Sequence, residues 1–121
     1  MTTQYIEHPA IKTIEIVVDG KVTKEEFHEI SPKMEAFIEE HGKIKIIEII
    51  KNFAGFDIAV LGEGLMFDMK HLKNFSHCAV ICDGGWVGPF TRTIAPFFSV
   101  DIRTFAPHEE DVARMWLANA L

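Results

Sequence analysis

Between Pro32 and Phe75 the chain has no serine, no threonine and no tyrosine. Hydroxyl nucleophiles and hydroxyl phosphorylation are therefore excluded from a third of the molecule. Basic charge is also short, with 12 Lys and Arg against 18 Asp and Glu, a net charge of −6. No basic cluster falls on any predicted element. Nucleic acids and anionic membrane surfaces are poor partners for such a chain, because both need cations to displace counterions. Apolar runs are only a few residues long, which argues against a membrane span. The segment Met1-Thr2-Thr3-Gln4-Tyr5 lacks the basic start and apolar run of a signal peptide. The expected location is cytoplasmic.

There are two cysteines, Cys78 and Cys82. Four residues apart on a strand, they lie about 13 Å from one another, too far for a mutual disulfide. They read as small core residues in a reducing compartment. Tyrosine occurs once, against ten phenylalanines and two tryptophans. Rings of that kind need burial or a partner more than hydrogen bonds.

What is present is an alternation of strands and helices in 121 residues, suited to one domain over 1–121. Tyr5–Glu7 and Ile11–Val18 read as a hairpin across His8-Pro9-Ala10. Asp19-Gly20 closes the second strand. Thr23 and Glu26 form a capping box for a helix with an apolar stripe at Phe27, Ile30, Met34, Phe37 and Ile38. Pro32 leaves two readings, one kinked helix or two short ones. Gly42 is the expected helix stop.

Ile44–Ile50 is the clearest strand. A loop over Asn52–Asp57 follows, with Asp57 capping a helix to about Asn74 on the stripe Ile58, Leu61, Leu65, Met69 and Leu72. Gly62 and Gly64 weaken that helix by roughly 1 kcal/mol each relative to alanine. Cys78–Cys82 is apolar on both faces, like a central parallel strand. Asp83-Gly84-Gly85 turns the chain into a short helix over Trp86–Ala95. A last strand, Val100–Phe105, precedes a helix that starts at Pro107 and begins its buried face with Val112 and Trp116. The order β-β-α-β-α-β-α-β-α implies a mostly parallel sheet with right-handed crossovers and an antiparallel N-terminal hairpin.

That order resembles the SpoIIAA-like family, a relative of the STAS (anti-sigma-factor antagonist) domains. The matching stretches are Asp19 through Phe27, Phe75 through Trp86, Pro96-Phe97-Phe98 through Arg103-Thr104-Phe105, and Ala113 through Leu117. The resemblance implies an α/β fold with sequential strands and helices mainly on one side. Glu15, Glu48 and Arg103 interrupt otherwise apolar strands, as half-solvated strands or strand ends would. The resemblance also implies regulation by a serine at the start of the helix after the third strand. Its positional counterpart, Asn52–Asp57, carries no hydroxyl, so that switch is not expected. Asp57 reads as a helix cap or as a fixed negative charge in its place.

Catalysis and cofactors find little support. The six histidines form no paired ligand motif, and no metal is expected. His77 and Cys78 are strand neighbours that point to opposite faces, a poor nucleophile and base. Asp83-Gly84-Gly85-Trp86 reads as a turn or an anion-binding loop, without the P-loop pattern. A sequential sheet also lacks the order reversal at which open sheets bind nucleotides. Asp57, Asp83 and His71 have no spacing that dictates their convergence.

The aromatic and methionine residues are the remaining signal. Asn52, Phe53, Phe56, Asp57, Met66, Met69, Trp86 and Phe90 are the candidate contact or ligand-binding residues; packed core and loop filling is the competing reading. The expected function is a non-enzymatic interaction or regulatory module, a homodimer with a further protein partner. The alternative is a binder or carrier of a small apolar or amphipathic ligand such as a fatty acid, with a closed cavity near Phe56, Met66, Met69 and Trp86.

Overall fold

The structure is a computed structural model describing residues 2–56, 74–82 and 101–120. The order is β1 (Thr2–His8), a 3-10 turn (Pro9–Ile11), β2 (Thr13–Val22), α1 (Lys24–His41), β3 (Ile44–Phe56), β4 (Phe75–Ile81), β5 (Asp101–Phe105), a 3-10 turn (Pro107–Glu109) and α2 (Glu110–Asn119). The helix predicted from Asp57 to about Asn74, except Asn74 itself, and the one predicted over 86–95 lie outside the described residues. The five strands form one sheet in the sequential order β1-β2-β3-β4-β5. β1 runs antiparallel to β2, and the other pairings are parallel. The α/β fold with sequential strands, mostly parallel after an antiparallel hairpin, is the one expected from sequence.

The hairpin forms where the His8-Pro9 step disfavours helix before it. Lys12 takes a left-handed conformation (φ 50°) and donates its N–H to the Pro9 carbonyl at 3.1 Å. The register then runs from His8↔Thr13 to Thr2↔Asp19.

α1 is one continuous helix across Pro32, which settles the two readings of that segment. Both Pro32 and His28, whose carbonyl would have received the missing N–H, face solvent, where water can replace the bond. Thr23 caps the helix. Its Oγ1 accepts from Glu26 N–H at 3.2 Å, and Glu26 Oε1 accepts from Thr23 N–H at 3.1 Å. The same carboxylate accepts from Thr3 N–H at 2.6 Å, so the cap also pins β1.

Strand alternation sorts the core into two layers. Ile14, Ile44 and Ile46 pack with Met34, Phe37 and Ile38 of α1. Ile47, Ile49, Ala79 and Ile81 point the other way, under Ala113 and Leu117 of α2. The two described helices thus cover opposite faces. α2 follows the last strand and makes no crossover, so the rule that places crossover helices does not bind it. Cys78 and Cys82 are not joined in a disulfide and are half-buried, more exposed than the core thiols expected from sequence.

β2 does not stop at Asp19-Gly20, and residues 52–56 are not a loop. Both strands continue, to Val22 and Phe56, through a bulge between the pairs Asp19↔Lys51 and Lys21↔Gly55. Gly20 (φ 97°) and Asn52 (φ 45°) absorb the extra residues. Glycine and asparagine tolerate that conformation, so the turn-forming residues mark a bulge here.

Candidate functional site

Of the residues singled out from sequence, Asn52 is fully described. It lies exposed at the β3 bulge, and its Nδ2 donates to Asp19 Oδ1 at 3.1 Å. Phe53 and Phe56 belong to the backbone of β3. Asp57, Met66, Met69, Trp86 and Phe90 lie outside the described residues, as do His71 and Asp83. The structure neither gathers this set nor disperses it.

It does assemble another surface. On the α2 face of the sheet, His77 of β4 and Asp101 and Arg103 of β5 line an open groove of about 670 Å³ with Val112, Met115 and Trp116 of α2. Trp116 organises the floor. The Arg103 guanidinium carbon sits 4.7 Å from its ring centre. The His77 ring meets it nearly edge-on at 5.5 Å, and the Phe105 ring lies tilted against it at 6.1 Å. A stacked guanidinium holds its orientation while keeping its N–H groups free to bind. Arg103 Nε lies 3.6 Å from Asp101 Oδ1, an ion pair beyond hydrogen-bond length. Above this floor, Val112 is 57% and Met115 65% exposed.

Sequence reading placed Val112 and Trp116 at the start of the buried face. The buried pair is Ala113 and Leu117 instead, one position further round the helix. Two polar anchors fix that rotation. The first is Glu15 on β2, only 6% exposed. Arg114 donates to both its oxygens at 3.0 Å, and His8 Nε2 lies 2.8 Å from Oε1. Arg114 also donates to Glu110 at 2.9 Å. The Arg114 hydrogen bonds hold the Glu15 carboxyl below its usual range against the opposing effect of burial, with His8 assisting. The same contacts push Arg114 up. Glu15 is therefore neither solvated nor at a strand end.

The second anchor is Lys45 on β3, also buried. Its Nζ donates to the Leu117 carbonyl at 2.5 Å and the Ala120 carbonyl at 3.3 Å. A cation there adds a charged donor to the carbonyls at the helix end, of which Leu117 also accepts from Ala120 N–H at 3.2 Å, and complements the helix dipole. Burial pushes the Lys45 ammonium down. With Arg114 and Lys45 held from below, Ala113 and Leu117 face the sheet and Val112 and Met115 face out. Neither anchor could be paired from sequence, since Glu15 and Arg114 are 99 residues apart. Among the described residues no group of three or more His, Cys, Asp and Glu side chains could hold a metal ion. No described helix is long and apolar enough to cross a membrane.

Known structures share this fold. An uncharacterised protein with a SpoIIAA-like fold from Shewanella loihica superposes with a TM-score of 0.77, covering 96% of this chain and 92% of that one, at 22% identity. The anti-sigma factor antagonist SpoIIAA in its unphosphorylated form superposes with a TM-score of 0.61, covering 95% and 98%, at 17% identity. The phosphorylated form of SpoIIAA, the Bacillus cell fate determinant, gives 0.56 over 94% and 99%, at 15% identity. Likeness at these identities establishes the fold alone. No curated protein matches the chain in sequence. The SpoIIAA-like family matches residues 13–118, from the first residue of β2 almost to the end of α2, and the chain belongs to that family.

Proposed function

We propose that this chain is a non-enzymatic, STAS-like contact module of the cytoplasm that acts by self-association and by binding a protein partner. One observation carries the reading: the shelf of Val112, Met115 and Trp116 beside the outer strand of the sheet. Apolar side chains left this open, with a stacked arginine at their margin, suit a protein surface; exposed apolar area rimmed by charge marks contact sites. SpoIIAA exists in phosphorylated and unphosphorylated forms. This chain has no hydroxyl side chain from residue 33 through 74, so contact here is not governed by hydroxyl phosphorylation in that stretch.

Light scattering over a concentration series tests the reading. The expected result is a mass that rises from one chain towards two, with hydrogen-exchange protection of β5 and α2 growing in step. A single-chain mass at high concentration would count against it. The reading as a fatty-acid carrier draws on residues outside those described, and an open groove buries too little of a small ligand to carry one well. Native mass spectrometry showing a co-purified lipid would favour carriage.

A further inference from the structure

We infer that the occupant of the groove is a second copy of this chain, paired strand to strand through β5 with Ile102 opposite Ile102. This deepens the self-association proposed above and rests on it. Among the described residues β5 hydrogen-bonds to β4 on one side only, so its outer backbone groups can accept another strand. A two-fold axis perpendicular to the sheet at Ile102 makes the added strand antiparallel. Directly opposed residues then share a face, and the sum of their numbers is constant.

Charge selects the register. Centred on Arg103, the pairing would set two guanidinium groups opposite one another, which is destabilising. Centred on Ile102, it sets Asp101 of each copy opposite Arg103 of the other. That gives two cross-strand ion pairs on the α2 face, and Ile102 faces its own copy on the α1 face. Arg103 is already oriented for this by Trp116 and loosely held by its own Asp101 at 3.6 Å. Both copies of α2 lie on the same side of the joined sheet. Their exposed Val112 and Met115 then face one another across the seam, and each groove gains its missing wall from the other copy.

The test is a charge exchange read by analytical ultracentrifugation, with circular dichroism melts to show that each variant folds. Arg103→Asp alone and Asp101→Arg alone place like charges across the seam, and each weakens dimerisation about tenfold or more. The double variant D101R/R103D restores the opposite-sign pairs and returns affinity to within a few-fold of the original, although it loses the stacking of Arg103 on Trp116. Met115→Glu, on an exposed side chain outside the core, weakens the dimer without unfolding the chain. If the protein dimerises but the single variants are neutral, or the double variant stays as weak as they are, the interface lies elsewhere; this inference then fails while self-association stands. If the unaltered protein is monomeric throughout, both fail.

Discussion

At the scale of single residues, Glu15 carries more consequence than any other side chain described. It is a buried carboxylate held by a bidentate arginine, and its environment keeps it ionised. Arg114→Ala leaves that charge with His8 alone, and we expect a loss of about 3 kcal/mol in urea unfolding. The pH dependence has a definite sign. A carboxyl whose folded value is depressed adds stability that is full above its unfolded value, near 4.5, and lost as pH falls through the folded value. Glu15→Gln should therefore flatten the acid side of the pH–stability curve below about pH 4.5, measured by thermal melts. Sequence showed Glu15 as a break in an apolar strand but not why. A lone charge in a strand looks the same whether it meets water or a distant arginine, and only the fold brings Arg114 to it.

At the scale of elements, legibility followed the strength of local chemistry. The Thr23–Glu26 box was readable because both halves lie within one turn. Gly42 was readable as a stop. It adopts φ 78°, and a β-carbon there would meet no atom within 4 Å. Gly42→Ala should therefore cost backbone strain without steric clash, about 1 kcal/mol, visible as a lower urea midpoint with an unchanged slope. The end of β3 was misread because Asn52 and Gly55 are turn formers. A paired strand from β2 overrode them, with the bulge as the accommodation. The rotation of α2 was misread because Val112/Trp116 and Ala113/Leu117 have the same four-residue spacing. Larger side chains give the stronger apolar signal, but the smaller Ala113 allows close approach to the sheet. That misreading concealed the groove, whose walls come from β4, β5 and α2 together.

At the scale of the whole molecule, strand order was the most legible property, because alternating strands and helices leave few topologies open. The α2 face of the sheet was the least legible. Leu117, 1% exposed, seats the helix on Ile47, Ile49 and Ile81 and lends its carbonyl to Lys45. Leu117→Ala should cost about 3 kcal/mol and leave the dependence on denaturant unchanged in slope, as removal of a buried side chain from an otherwise intact fold does. Tested by equilibrium unfolding, a much smaller cost would mean that α2 repacks, and the groove would then have no fixed wall.

The contact between residue 15 and residue 114 also sets a timetable. A ribosome delivers each described strand of the sheet before the described helix that covers one face of it. Until α2 emerges, Glu15 has no arginine and Ile47, Ile49, Ala79 and Ile81 lack their covering helix. The nascent chain therefore passes through an interval with one greasy flank open, when it is most prone to sticking to neighbours or recruiting chaperones. The arrival of the last helix ends that interval by closing a charge and an apolar surface in one step.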